Sequence, residues 1–368
     1  MRGFFGQRRN KMKVTYYLGA GASHDAIPIV GELEKAFGEL KSWINYTNST
    51  NRLQRYRSVE TKETYALLNA LLDTAIFNAK LYGTIDTFAK KLTIGKNEQD
   101  LAMLKAALSY FFSVWQEINF KRINLKSVRE NQFKDIDSRY LGLLTNYLNS
   151  EEKIKLDDDV KFLSWNYDTQ LERALAVITD KSVNSVLDGF GIYPFKKETA
   201  PNIIHLNGIA GLYSEKGVVH SLLKEESPLG NSERNVVLKE RINFIKAVEN
   251  REVDVNEYFS FAWENNPTSR QAIEHAEKIM TNTEILVIIG YSFPTFNDQV
   301  DKRLIGAAKK SDRLKMVYYQ DPNASKEVLN ARFGIEEKKI KIIQKTNQFV
   351  LPLESSQFED LDFTMTFA

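Results

Sequence analysis

Five segments of this chain put polar side chains directly after apolar runs, which is where an α/β protein does its chemistry. Val14 to Leu18 runs into Gly19-Ala20-Gly21-Ala22-Ser23, whose missing Cβ atoms let backbone amides approach a phosphate. Val160 to Ser164 runs into Trp165-Asn166-Tyr167-Asp168, an apolar strand ending in polar, hydrogen-bonding side chains before a helical run. Ile203-Ile204 leads to His205-Leu206-Asn207-Gly208, and His205 is a proton carrier near neutral pH. Ile285 to Ile289 leads to Gly290-Tyr291-Ser292-Phe293-Pro294, where Gly290 and Ser292 allow close approach and hydrogen bonding to a ribose or phosphate. Lys315 to Tyr319 precedes Asp321-Pro322-Asn323, the weakest of the set. Each has a plain structural alternative: a tight strand-to-helix turn for the glycines, a helix cap for Asp168, turn chemistry for Asp321.

The elements that must hold these residues are legible from periodicity. The five apolar runs are short and rich in β-branched or aromatic residues, as buried strands are. Between them, Tyr65, Leu68, Leu72, Ile76 and Ala79 recur at helical spacing, as do Leu101, Leu104, Leu108, Phe111, Trp115 and Ile118. Strands alternating with helices predict an α/β fold, a Rossmann-like parallel sheet flanked by helices. Residues 32–150 read as a large helical insertion after the first strand, and 214–256 as a small polar excursion or lid. The expected limits are a mobile basic arm at 1–13, a main domain over 14–353 and a peripheral tail at 354–368. Trp43, Phe111, Phe112 and Trp115 are either core or an oligomerisation surface.

Composition removes several classes of function. With 368 residues and 43% hydrophobic content the chain can bury a sizeable core, and no stretch has the roughly 20 apolar residues of a membrane span. Fifty Lys and Arg against 48 Asp and Glu leave a charge of +2, too balanced for a surface built to grip nucleic acid directly. There is no Cys, which excludes disulfides, thiol nucleophiles and Cys-ligated metal sites. The acidic run Asp157 to Asp159 reads as a solvated turn, which disfavours a nuclease.

The ordered set GAGAS with Pro28, WNYD, HLNG, GYSFP and the Asp321 turn resembles the sirtuin-like domain, over about Tyr16 to Asn323. It is most similar to the zinc-less NAD-hydrolase branch of bacterial anti-phage defence, since the deacylase branch needs a four-Cys zinc module. The resemblance implies a cytoplasmic NAD hydrolase that releases nicotinamide and ADP-ribose as an abortive-infection effector, with NAD as substrate and no metal. By resemblance, Gly19, Ala20, Gly21 and Ser23 cradle the phosphates, Asn166 holds the ribose and attacking water, and Asp168 binds the carboxamide. Gly290 and Ser292 then contact phosphate and ribose, and Asp321 lies on the adenosine side. The family's His before the glycine is replaced by Asn207, so either His205, on the same strand face at i and i+2, is the base, or Asn207 only orients the ligand. The resemblance also implies a homo-oligomer and a separate partner such as a DNA-translocating ring ATPase or a short Argonaute, with no direct nucleic acid or membrane contact. The alternative is a catalytically weak module that binds NAD or ADP-ribose and regulates a defence complex.

Overall fold

The computed structural model describes residues 12–49, 59–116, 136–150, 154–196, 201–223 and 241–352. Most of the basic arm, the tail and the centre of the polar excursion lie outside the described residues. Five-residue strands β1 (Val14–Leu18), β4 (Val160–Ser164), β9 (Ile285–Ile289) and β10 (Met316–Gln320) build the heart of the sheet. Three of them coincide with the apolar runs, and β10 is displaced by one residue. With β5 (Ile192–Tyr193), β6 (Ile203–His205) and β11 (Ile340–Ile343) they form a seven-stranded parallel sheet in the order β11-β10-β9-β1-β4-β6-β5. Short antiparallel pairs, β2 (Leu148–Ser150) with β3 (Ile154–Leu156) and β7 (Leu212–Glu215) with β8 (Val218–Ser221), lie outside it.

Strand β1 occupies the centre, in register with β4 on one side, Val14 opposite Val160, and with β9 on the other, Val14 opposite Ile285. The chain leaves β1 toward β4 and returns on the opposite side as β9. A crevice therefore opens beyond the carboxyl ends of these strands, the position where open α/β sheets bind ligands.

Alternation along each strand splits the core. Tyr16, Leu18, Phe162 and Val287 face α5 (Ser138–Leu144), α6 (Gln170–Thr179) and α7 (Val183–Gly189). Tyr17, Leu163, Leu286 and Ile288 face α9 (Pro267–Thr281), α10 (Asp298–Lys310) and α11 (Lys326–Phe333).

The insertion has a core of its own. It comprises α1 (Leu33–Ser49), α2 (Val59–Tyr82), α3 (Ile85–Ile94) and α4 (Glu98–Trp115). Trp43, Phe111, Phe112 and Trp115 are buried within it, so they are core and not an oligomerisation surface. Helix α8 (241–249) and the segment after it contribute Ile242, Phe244, Ile245, Val248 and Val255 to the same core. This part of the expected polar lid is therefore a packed component of the helical layer. Its seam is fastened by Lys105, fully buried, whose Nζ donates to Asn256 Oδ1 and Glu264 Oε1, both at 2.8 Å. Glu264 in turn accepts the Phe261 amide at 2.6 Å. Among the described residues no helix is long and apolar enough to cross a membrane.

The loops after β1 and β9 touch backbone to backbone. Gly19 N–H donates to Ile289 O and Gly21 N–H to Gly290 O, each at 2.9 Å. A Cβ on Gly19 would sit 2.5 Å from Gly290 O, and one on Gly290, whose φ is +58°, would overlap the Gly21 carbonyl carbon and Ala22 nitrogen. Gly290→Ala is therefore expected to cost more than about 4 kcal/mol, because neither backbone can retreat without breaking the sheet edge. Gly38→Ala, in α1 with open space around it, is expected to stabilise by about 0.5–1 kcal/mol. Urea unfolding of the two variants checks both signs.

Candidate active site

The strand-end loops and the helical layer line a partly open cavity of about 630 Å³. Ala20 comes from the loop after β1, Trp165 to Asp168 from that after β4, Asn207 from that after β6, and Gly290 to Ser292 with Pro294 to Asn297 from that after β9. The helical layer supplies Thr84 to Thr87 at the start of α3, together with Leu108 and Phe112 of α4. Phe261 and Trp263, stacked with centroids 5.0 Å apart, complete the wall on the loop that Lys105 fastens. This volume suits a small-molecule site, and its apolar walls interrupted by a few polar groups are typical of one.

Asn166 and Asp168 meet through Ser23. The Ser23 hydroxyl donates to Asp168 Oδ1 at 3.0 Å and accepts from Asn166 Nδ2 at 3.2 Å. Its one proton points to Asp168, so the Tyr140 hydroxyl, 3.3 Å away, is left to donate to it. Asp168 Oδ1 also accepts the Gln170 amide at 3.0 Å, so the carboxylate caps the start of α6 as well as lining the cavity. Burial pushes its pKa up to about 6, although the Gln170 amide and Ser23 hydroxyl pull the other way.

His205 stands behind this cluster and is not among the lining residues. Its Nδ1 lies 3.0 Å from the Asn166 carbonyl, which can only accept, so Nδ1 carries a proton. Its Nε2 lies 2.8 Å from Glu172 Oε1, and both side chains are almost wholly buried. Burial opposes a charged ring, but the Glu172 carboxylate outweighs it and the His205 pKa is raised. Both nitrogens are thus engaged with protein groups, and the ring holds the Asn166 backbone. His205 and Asn207 do not share a strand face, because β6 ends at His205 and leaves Asn207 in a loop with its own orientation. Asn207, 7% exposed, lines the cavity, and its Oδ1 has no hydrogen-bond partner.

The Gly-Ala-Gly turn is a structural joint. Gly19 and Gly21 direct their amides to the end of β9, while the buried Arg139 donates to the carbonyls of Gly21 and Ala22, each at 3.3 Å. Ala20 alone of this triplet lines the cavity. Gly290 and Ser292 are lining residues, the latter exposed. Asp321 is not one: its carboxylate accepts the Asn323 amide at 2.8 Å, the turn chemistry of the structural alternative.

One acid escaped the sequence reading. Asp86, in the first turn of α3 after the Thr84 cap, lines the cavity, and burial alone pushes its pKa up to about 6. Locally it looks like any acidic residue at a helix N-terminus, so only the docking of the helical layer distinguishes it. Behind the opposite wall, the buried Asp301 accepts from Tyr17 at 2.6 Å and Tyr291 at 3.0 Å, with its pKa raised to about 7 by burial. No family model and no curated protein matches the sequence.

His205→Ala should cost about 3–5 kcal/mol, because it strands the Glu172 carboxylate in the interior, and pairing it with Glu172→Leu should restore much of that loss. Urea midpoints of the single and double variants measure this. Asp86→Asn should raise stability at pH 7 by about 1–3 kcal/mol. Between the ordinary Asp86 value of 3.8 and the folded value of about 6, the folded chain holds a proton that the unfolded chain lacks. Wild-type stability from this group therefore falls as pH rises through that window, and the gap to Asp86→Asn should close below about pH 4. Paired melts from pH 4 to 8 check the direction.

Proposed function

We propose that the cavity binds NAD and that the chain hydrolyses its nicotinamide–ribose bond, releasing nicotinamide and ADP-ribose, as the effector of an anti-phage defence system. The observation that carries this reading is the convergence of Asn166, Asp168 and Asn207 in one cavity at the switch point of a parallel sheet. The defence context, a cytoplasmic setting, self-assembly and a restraining partner rest on the sequence resemblance.

The chemistry suits these groups. Cleavage proceeds through an oxocarbenium-like ribose, as the bond's electron pair leaves with the nicotinamide nitrogen and neutralises the ring. Water then adds to the sugar and loses a proton. Asn166, with its Nδ2 anchored on Ser23 and its backbone on His205, is positioned to hold a ribose hydroxyl or that water. Asp168 and Asp86 are the side chains of the described lining able to accept the proton near neutral pH. Apolar and aromatic lining lowers the polarity around the bond that breaks. Because His205 is engaged elsewhere, the proton acceptor is assigned to the carboxylates.

A second reading, a regulatory module that binds NAD or ADP-ribose without turnover, is favoured by Asn207 at the place of the family's His and by the engaged glycine amides. Incubating the purified chain with NAD and quantifying nicotinamide and ADP-ribose separates the two. The hydrolase reading expects turnover that falls at least about a hundredfold in Asn166→Ala with the circular dichroism spectrum unchanged. Binding without turnover supports the regulatory module, and neither binding nor turnover removes NAD from the cavity.

A further inference from the structure

The described lining of the cavity contains two carboxylates and no Lys, Arg or His. The two acids are not equivalent. Asp168 is answered from within the protein by the Ser23 hydroxyl and the Gln170 amide. Asp86 receives no hydrogen bond and forms no ion pair among the described residues. Lys90 follows it by one helical turn, at the i,i+4 spacing that favours pairing, yet its ammonium stands over the Trp263 ring, 5.1 Å from the centroid. Lys90 is not a lining residue. Apart from the favourable N-terminus of α3, the charge of Asp86 is thus left without a side-chain partner and faces the cavity.

The walls around it favour positive charge too. Phe112, Tyr167, Tyr291 and Phe296 line the cavity beside the stacked Phe261 and Trp263, the latter already carrying the Lys90 ammonium, and aromatic rings attract cations. Asp86 lies close enough for its charge to raise the pKa of the Tyr167 phenol, an effect second only to that of burial. A separate observation indicates a hydrogen-bond donor on the ligand: the nearly buried Asn207 lines the same cavity with an unpartnered Oδ1. A planar cationic ring bearing a carboxamide answers all three features. Its charge faces Asp86, its ring lies among aromatics, and its N–H donates to Asn207.

We propose that Asp86, delivered by the helical insertion, is a specificity residue that makes the cavity select a positively charged ring, and so select oxidised NAD over its neutral reduced form. The proposal rests on the NAD reading for its physiological ligand, but the selectivity for charge can be tested without turnover.

The test is calorimetric titration of the full chain, wild type, Asp86→Asn and Asp86→Glu, with two matched pairs: NAD against NADH, and 1-methylnicotinamide, a cation, against neutral nicotinamide. Wild type should favour the charged member of each pair by about tenfold to a hundredfold, as expected for a partly buried charge pair. Asp86→Asn should bring both ratios close to one, and Asp86→Glu should recover part of the preference. Equal affinity of wild type for charged and neutral members overturns the proposal whatever the variants do, and so does a preference that survives in Asp86→Asn. If the preference depends on Asp86 but no nicotinamide is released from NAD, the specificity assignment stands and the hydrolase reading falls. If NAD is cleaved in an Asn166-dependent manner with no charge preference, the reverse holds. Wild type that binds none of the four ligands overturns both.

Discussion

The contact on which the cavity depends is the meeting of two backbones, the turn after β1 and the turn after β9. Gly19 and Gly21 donate to the carbonyls of Ile289 and Gly290, and no side chain fits between them. This closeness holds the central strands in register right up to the sheet edge, so Ala20 on one side and Tyr291, Ser292 and Pro294 to Asn297 on the other line one crevice. It also redefines the glycines. The smallness that lets a backbone approach a phosphate here lets it approach another backbone, and the amides that would have faced a ligand are directed into the protein.

The helical layer adds a second wall to that crevice. Its own core is continuous from α1 to the segment near Val255, and the buried Lys105 ties α4 to the loop bearing Phe261 and Trp263. An ammonium with no exposure is tolerable because two oxygens at 2.8 Å replace its water. By excluding water, the same layer raises the pKa of Asp86 and contributes to burying Asp168. Two acids with pKa near 6 in one small cavity are costly for the fold, and such groups cluster where binding or catalysis requires them.

Behind the cavity lies a second polar layer that meets no ligand directly. His205 is hydrogen-bonded to Glu172 in the interior and holds the Asn166 backbone, while Ser23 and Tyr140 hold the side chains in front. Asp301, with Tyr17 and Tyr291, plays a similar supporting part beneath the loop after β9. Asn166 and Asp168 are therefore held in place from behind, which favours a geometry at these two residues prepared before any ligand arrives.

The sequence alone determined the α/β class, the positions of β1, β4 and β9, and the strand-end segments that carry polar residues, because those depend on short-range hydrophobic periodicity and on where apolar runs stop. It also indicated that Asn166, Asp168, Asn207, Gly290 and Ser292 belong together, since all follow strands whose ends share one edge of a parallel sheet. Tertiary structure alone decided that His205 faces Glu172 and not the cavity, that the Gly19 and Gly21 amides are engaged, and that Asp321 closes a turn. It alone brought Asp86 to the site from a helix that the sequence separates from Asn166 by 80 residues (166 − 86). The physical reason is the same in each case. Periodicity reports which face of an element is buried, whereas the partner of a polar group is set by the docking of elements distant in sequence, and no local pattern records that.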